Sequence, residues 1–177
     1  RTVNVVDSTT PSITINGLSP IQVEANSNYS DIGATSSDGS SVSMVSTVNT
    51  SALGSYLLAY TVEDNVANSA VQVTRRVIVV DRTAPIITII GGDDIEVDYN
   101  SNGVYNDQGA NAVDGIDGNI SGSIVPTSNV DTSTLGVYSV IYSVTDSNGN
   151  AAQKTRTVEV KDLSAPTISL IGNDNLD

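Results

Sequence analysis

Apolar residues recur at every second position over much of the chain. Tyr138, Val140, Tyr142 and Val144 alternate with Ser139, Ile141 and Ser143, while Val158 and Val160 alternate with Thr157, Glu159 and Lys161. Successive side chains of a strand point to opposite faces, so this period predicts strands with one face in a core and the other in water. The runs are bounded at short spacing by Gly, Asn, Asp and Pro, and no long stretch keeps a helical period. The expected fold is all-β, an antiparallel sandwich. Pro11, Pro85 and Pro166 each open a strand-like run, where a missing N–H is harmless on a sheet edge.

The pattern is written twice. Residues 53–70 read LGSYLLAYTVEDNVANSA, and residues 135–152 read LGVYSVIYSVTDSNGNAA. DSTTPSITING at 7–17, DRTAPIITIIG at 81–91 and DLSAPTISLIG at 162–172 form a second matched set. Tyr29-Ser-Asp31-Ile-Gly33-Ala34 corresponds to Tyr105-Asn-Asp107-Gln-Gly109-Ala110, and RTVNVVD, RRVIVVD and TVEVKD close successive units. A repeat of this length predicts tandem modules. Their expected extents are 7–81 for repeat 1 and 82–162 for repeat 2. Residues 1–6 would be the last strand of a preceding repeat and 163–177 the first strand of a following one, as in a window on a longer array. Repeat 1 departs from the pattern at Val66-Ala67-Asn68, where the Gly of the Asn148-Gly149 turn is lost.

Composition narrows the chemistry. Sixteen of the twenty acidic residues are Asp and the net charge is −13, so nucleic acid and anionic lipid surfaces are poor partners. There is no Cys or His from which to build the familiar nucleophile–base pairs, and no Trp or Phe to offer a sugar-stacking platform. No apolar run approaches the roughly 18 residues of a membrane span. All seven bases (Arg1, Arg75, Arg76, Arg82, Lys154, Arg156, Lys161) collect on or beside the closing strands. They would either charge a sheet edge against aggregation or meet acidic loops within a unit or across the joint.

Leu53-Gly-x-Tyr56-x-Leu58 and Leu135-Gly-x-Tyr138-x-Val140 resemble the tyrosine corner of immunoglobulin-like sandwiches, with Leu58 and Val140 in the usual cysteine position. On that reading packing alone holds the core. The combined pattern D-x-T-x-P-x-I-x-x-x-G, Y-x-D-x-G-A, G-x-Y-x-V-x-Y-x-V-x-D-x-x-G-N-A and R-x-V-x-V-x-D resembles bacterial surface immunoglobulin-like repeats. Hyalin-repeat (HYR) modules are their relatives. The resemblance covers essentially the whole chain. It implies tandem immunoglobulin-like β-sandwich spacers in secreted or surface-anchored bacterial proteins, adhesins among them, with no catalytic centre.

One acidic cluster is a candidate metal site. Asp114-Gly-Ile-Asp117-Gly-Asn119 supplies two carboxylates and an amide within six residues, and Asp146-x-Asn148-x-Asn150 has the opening spacing of a calcium loop. Ala151 and Thr157 stand where that loop needs Gly and Glu, so it is not an EF-hand. Calcium is expected, if anywhere, among Asp114, Asp117, Asn119 and Asp146, and not in repeat 1, where the loop around Asp38 has a single acid. Three N-x-S/T triplets (Asn28, Asn49, Asn119) and many outward Ser and Thr offer glycosylation acceptors.

The functional expectation is a non-enzymatic extracellular structural repeat, a stalk, adhesin shaft or fibre subunit. Its partners would be neighbouring repeats of the same chain, or other copies joined head to tail by strand exchange. The alternative is a ligand- or glycan-binding module using the loops around 36–45 and 111–124.

Overall fold

The computed structural model of the chain describes residues 1–100, 103–169 and 171. Two compact units follow one another, Arg1–Arg82 and Thr83–Asp177. Unit 1 contains β1 (Ile13–Ile15), β2 (Ile21–Glu24), β3 (Ala34–Ser36), β4 (Ser43–Ser46), β5 (Gly54–Thr61) and β6 (Val73–Val80). Unit 2 contains β7 (Ile86–Ile89), β8 (Asp94–Asp98), β9 (Ala110–Asp114), β10 (Gly118–Asn119), a 3-10 turn at Ser121–Ser123, β11 (Val125–Ser128), β12 (Gly136–Thr145) and β13 (Ala151–Lys161). The expected all-β, immunoglobulin-like architecture is what the chain adopts.

Both units are built to one plan. In unit 1 a β1-β3 ribbon faces a sheet ordered β2-β6-β5-β4; in unit 2 a β10-β9-β7 sheet faces one ordered β11-β12-β13-β8. The inward residues of the two sheets make each core. Leu58, Tyr60 and Val77 pack against Ile13, Ile15, Ile21 and Val23 in unit 1. Ile87, Ile89 and Ala112 meet Val140, Tyr142, Val144 and Val158 in unit 2. Burying such aliphatic side chains stabilises a fold by about 1.5–3 kcal/mol each.

One detail corrects the sequence reading. The closing strands β6 and β13 are not edges. Each lies inside its sheet, because β2 pairs with β6, and β8 with β13, in parallel register. After β1 or β7 the chain turns and crosses to the opposite sheet, so one ladder per unit is parallel in an otherwise antiparallel fold. Residues 1–6 and 163–169 are in no strand. Val3, Val5 and Ile168 are accordingly left exposed. Leu170 and residues 172–177 of the supposed following repeat lie outside the described residues.

The lost glycine has a local consequence. Gly149 turns the β12–β13 connection at φ +92°, and Ala67 takes the same left-handed conformation at φ +71° in the corresponding turn of unit 1. A Cβ in that region costs about 1–2 kcal/mol. Ala67→Gly should therefore raise the stability of unit 1 by roughly 1 kcal/mol, less the added entropy of an unfolded glycine. Urea denaturation of the variant beside the parent chain checks this.

Candidate functional site

The repeated Y-x-D-x-G-A motif and the repeated closing-strand arginine meet inside each unit. Arg75 lies on β6 with the same parity as Val77 and Val79, so its side chain enters the core and is 1% exposed. Its Nη2 donates to the carbonyls of Asn16 and of Gly33, the latter at 3.2 Å. Nε is 3.2 Å from Asp31 Oδ2, an ion pair without hydrogen-bond alignment. Asp31 also accepts the Tyr29 hydroxyl at 2.6 Å, the Tyr60 hydroxyl at 2.5 Å and the Gly33 N–H at 2.7 Å. Gly33 sits at φ +75°, the left-handed conformation that lets the backbone fold its N–H back onto the carboxylate two residues earlier.

Unit 2 repeats the arrangement. Arg156, on β13 and 1% exposed, donates from Nη1 to Asp107 and, at 3.1 Å, to the Tyr105 hydroxyl. Its Nε bonds Gly92 O at 3.1 Å and its Nη2 bonds Ile90 O. Tyr142 donates to Asp107 at 2.8 Å and Tyr105 does so at 3.0 Å, while the Gly109 N–H closes the ring at 3.2 Å. Each arginine thus crosses from the larger sheet to the chain that leaves the first strand of the smaller one. The expectation that packing alone holds the core is corrected: an ionic brace spans the sheets as well. The other bases are superficial. Lys154 pairs with Asp93 at 2.9 Å, and Lys161 with Glu96 at 2.6 Å and Glu159 at 3.0 Å, within unit 2.

Electrostatics follow from this enclosure. Burial pushes the Tyr29 and Tyr60 hydroxyls up to about 12, and their hydrogen bonds to the Asp31 carboxylate push the same way. Burial and Asp107 likewise raise Tyr142. For Asp31 burial alone would raise the pKa, but the donors from Tyr29, Tyr60 and Gly33, with the Arg75 charge, outweigh it and hold the carboxyl below its ordinary value. The carboxylates, tyrosine hydroxyls and arginines of each brace are engaged chiefly with one another. Their work is structural.

Tyr56 Oη donates to Ala52 O at 2.8 Å, and Tyr138 Oη donates to Thr134 O at 2.9 Å. Both rings are half-buried rather than buried, so water competes for each bond.

The acidic loop residues divide. Asp114, the last residue of β9, is 5% exposed, and Asp146, at the β12–β13 turn, is 8% exposed. One carboxylate oxygen of each lies within 4.8 Å of the other. Asp117 binds Ser147 through its backbone N–H and its hydroxyl, both at 2.7 Å, and so ties the two loops together. The Asn119 side-chain carbonyl accepts the Ser121 N–H at 3.0 Å.

Comparison with known proteins agrees with this construction. A family model described as "Bacterial surface protein, Ig-like domain" matches twice, over residues 13–79 and 87–160. A protein of 81.3 kDa from Acholeplasma phage L2, itself uncharacterised, is 33% identical over 132 residues, covering 73% of this chain and 18% of that protein. The chain therefore spans less than a fifth of that relative's length. Among solved structures, the M60 catalytic domain of Clostridium perfringens ZmpB with its two CBM51 domains aligns at a TM-score of 0.52 and 15% identity. That alignment covers 88% of this chain and 31% of the other, and shows likeness of fold alone. A lipoprotein of Bacteroides thetaiotaomicron aligns at 0.39 and 26% identity over 46% of this chain and 40% of its own. The two matched stretches coincide with the two braced sandwiches: the chain belongs to the bacterial surface protein Ig-like domain family.

Proposed function

We propose that the chain is a non-catalytic structural segment of an extracellular or cell-surface protein, a stalk or adhesin shaft in which sandwiches follow one another in tandem. The observation that carries this reading is the duplicated Arg–Asp–Tyr brace. What the two repeats share lies in their interiors and at their corners, whereas the loops at 36–45 and 111–124 differ in length and charge. Each unit is tied sheet to sheet by its own brace, and only residues 81–85 separate β6 from β7. A connection that short, ending in Pro85, limits the freedom between neighbours. Such modules add length without adding chemistry.

The rival reading is a binding module. A cavity of about 410 Å³ in unit 2 is lined by Val104, Tyr105, Asp107, Pro126 and Val140. Its one aromatic ring has its hydroxyl engaged by Asp107 and Arg156, which does not favour a sugar platform. Electron microscopy of the purified chain, with glycan arrays on the same preparation, tests the proposal. Discrete two-bead particles without saturable glycan binding are expected. Saturable binding lost on exchanging residues 36–45 or 111–124 would move the function to those loops, and uniform filaments would point to strand exchange between copies.

A further inference from the structure

We propose that unit 2 holds one hard divalent cation of the calcium type between Asp114 and Asp146, and that unit 1 holds none at the corresponding place. Asp114 uses Oδ1 to accept the N–H groups of Ile116 at 2.7 Å and Asp117 at 3.0 Å. Its Oδ2 is fully buried and has no hydrogen-bond partner. An ionised oxygen taken out of water without a partner is strongly disfavoured. A neighbouring carboxylate makes matters worse, since an oxygen of Asp146 lies within 4.8 Å of one of Asp114 and carries the same charge. A cation resolves both problems at once. Two oxygens on one calcium at about 2.3–2.6 Å each are separated by up to roughly 5 Å, which accommodates the spacing found here. An all-oxygen donor set selects a hard ion over softer transition metals.

The surroundings are preset for it. Asp146 is held by the backbone N–H groups of Asn148 at 2.9 Å and Asn150 at 2.8 Å, and by the Asn150 amide at 2.7 Å. Asp117 spans the two loops through Ser147, so a cation would find its ligands already positioned. In unit 1 the repeat register puts Asp38 and Asp64 in these places. Asp38 is exposed, and both its oxygens accept hydrogen bonds from Ser36 and Ser40. Asp64 is taken up by Val66 and Asn68. No buried unpaired oxygen waits there.

Calcium chloride titrated calorimetrically into the chelator-treated 177-residue chain should bind at one site per chain. The melting of unit 2 should rise in calcium while that of unit 1 stays fixed. At a calcium concentration ten times the dissociation constant, the folding equilibrium of unit 2 should shift about 11-fold. Asp114→Asn should abolish both effects yet melt in chelator at or above the parent, because it removes a buried unpaired charge. That behaviour separates a lost ligand from a lost fold. Asp38→Asn should leave stoichiometry and affinity unchanged. Absence of binding heat and of calcium-dependent melting overturns the proposal, as does binding that survives Asp114→Asn or disappears with Asp38→Asn.

Discussion

Asp31→Ala is expected to destabilise unit 1 by about 3–5 kcal/mol, the range found when one partner of a buried ion pair is removed. The substitution strands the Arg75 guanidinium in a core where both side chains are almost without solvent contact, 1% and 2% exposed. It also deprives two tyrosine hydroxyls and the Gly33 N–H of their acceptor. Small domains are stable by only about 5–15 kcal/mol, so unit 1 should be close to unfolding at room temperature. Asp107→Ala should cost unit 2 less, because the Asp107 side chain is 23% exposed and water can reach the vacated place. Urea denaturation, with backbone amide signals in NMR assigned to each unit, would resolve the two transitions. The double change Arg75→Met with Asp31→Leu should recover part of the loss, since no charge is then left buried. Equal and small shifts for Asp31→Ala and Asp107→Ala would mean that water enters both braces and that packing carries the cores after all.

The strands were legible because their period is two and their boundaries are Gly, Asn, Asp and Pro. Every inward residue of β12 from Val140 to Val144 follows that alternation into the core. The brace was half legible. Arg75 and Arg156 share parity with the buried valines that follow them, and this signal placed them inside. The general rule that charge belongs on the surface outweighed it, because their partners lie 44 and 49 residues away in sequence (75 − 31 and 156 − 107). No local pattern joins residues so separated. The repeat of Y-x-D-x-G-A marked the acceptor without naming the donor. Edge position was misjudged for a related reason. Whether a strand ends a sheet depends on where another strand crosses, and β2 and β8 carry too few apolar residues to announce that they pair with the closing strands. The acidic loops show the opposite limit. Spacing grouped Asp114, Asp117, Asn119 and Asp146 without any distance between them, and the fold supplies it for Asp114 and Asp146, which lie on separate loops and have carboxylate oxygens within 4.8 Å of one another.

Raising the pH should unfold the chain in a window set by its buried tyrosines. In the unfolded chain a tyrosine ionises near pH 10. Folded Tyr29 and Tyr60 hold their protons to about 12, mainly through burial and then through the neighbouring Asp31 carboxylate. Tyr142 and Tyr105 shift the same way, burial again leading, although the Arg156 charge opposes the shift at both. Above pH 10 the unfolded state therefore sheds protons that the folded state keeps. Stability contributed by these groups is fully present below pH 10 and is lost as the pH rises towards the folded values. Acid acts with the other sign. Asp31 and Asp146 have lowered folded pKa values, because hydrogen-bond donors outweigh burial at both sites. Their contribution is present above the ordinary carboxylate range and fades only as the pH falls below it. Tyrosinate absorbance and far-ultraviolet circular dichroism, followed together through an alkaline titration, check the first half. The late fraction of tyrosinate should appear in one cooperative step with the loss of sheet signal, between about pH 10 and 12. Smooth ionisation of every tyrosine around pH 10 with the sheet intact would show the rings to be solvated and the brace to be open.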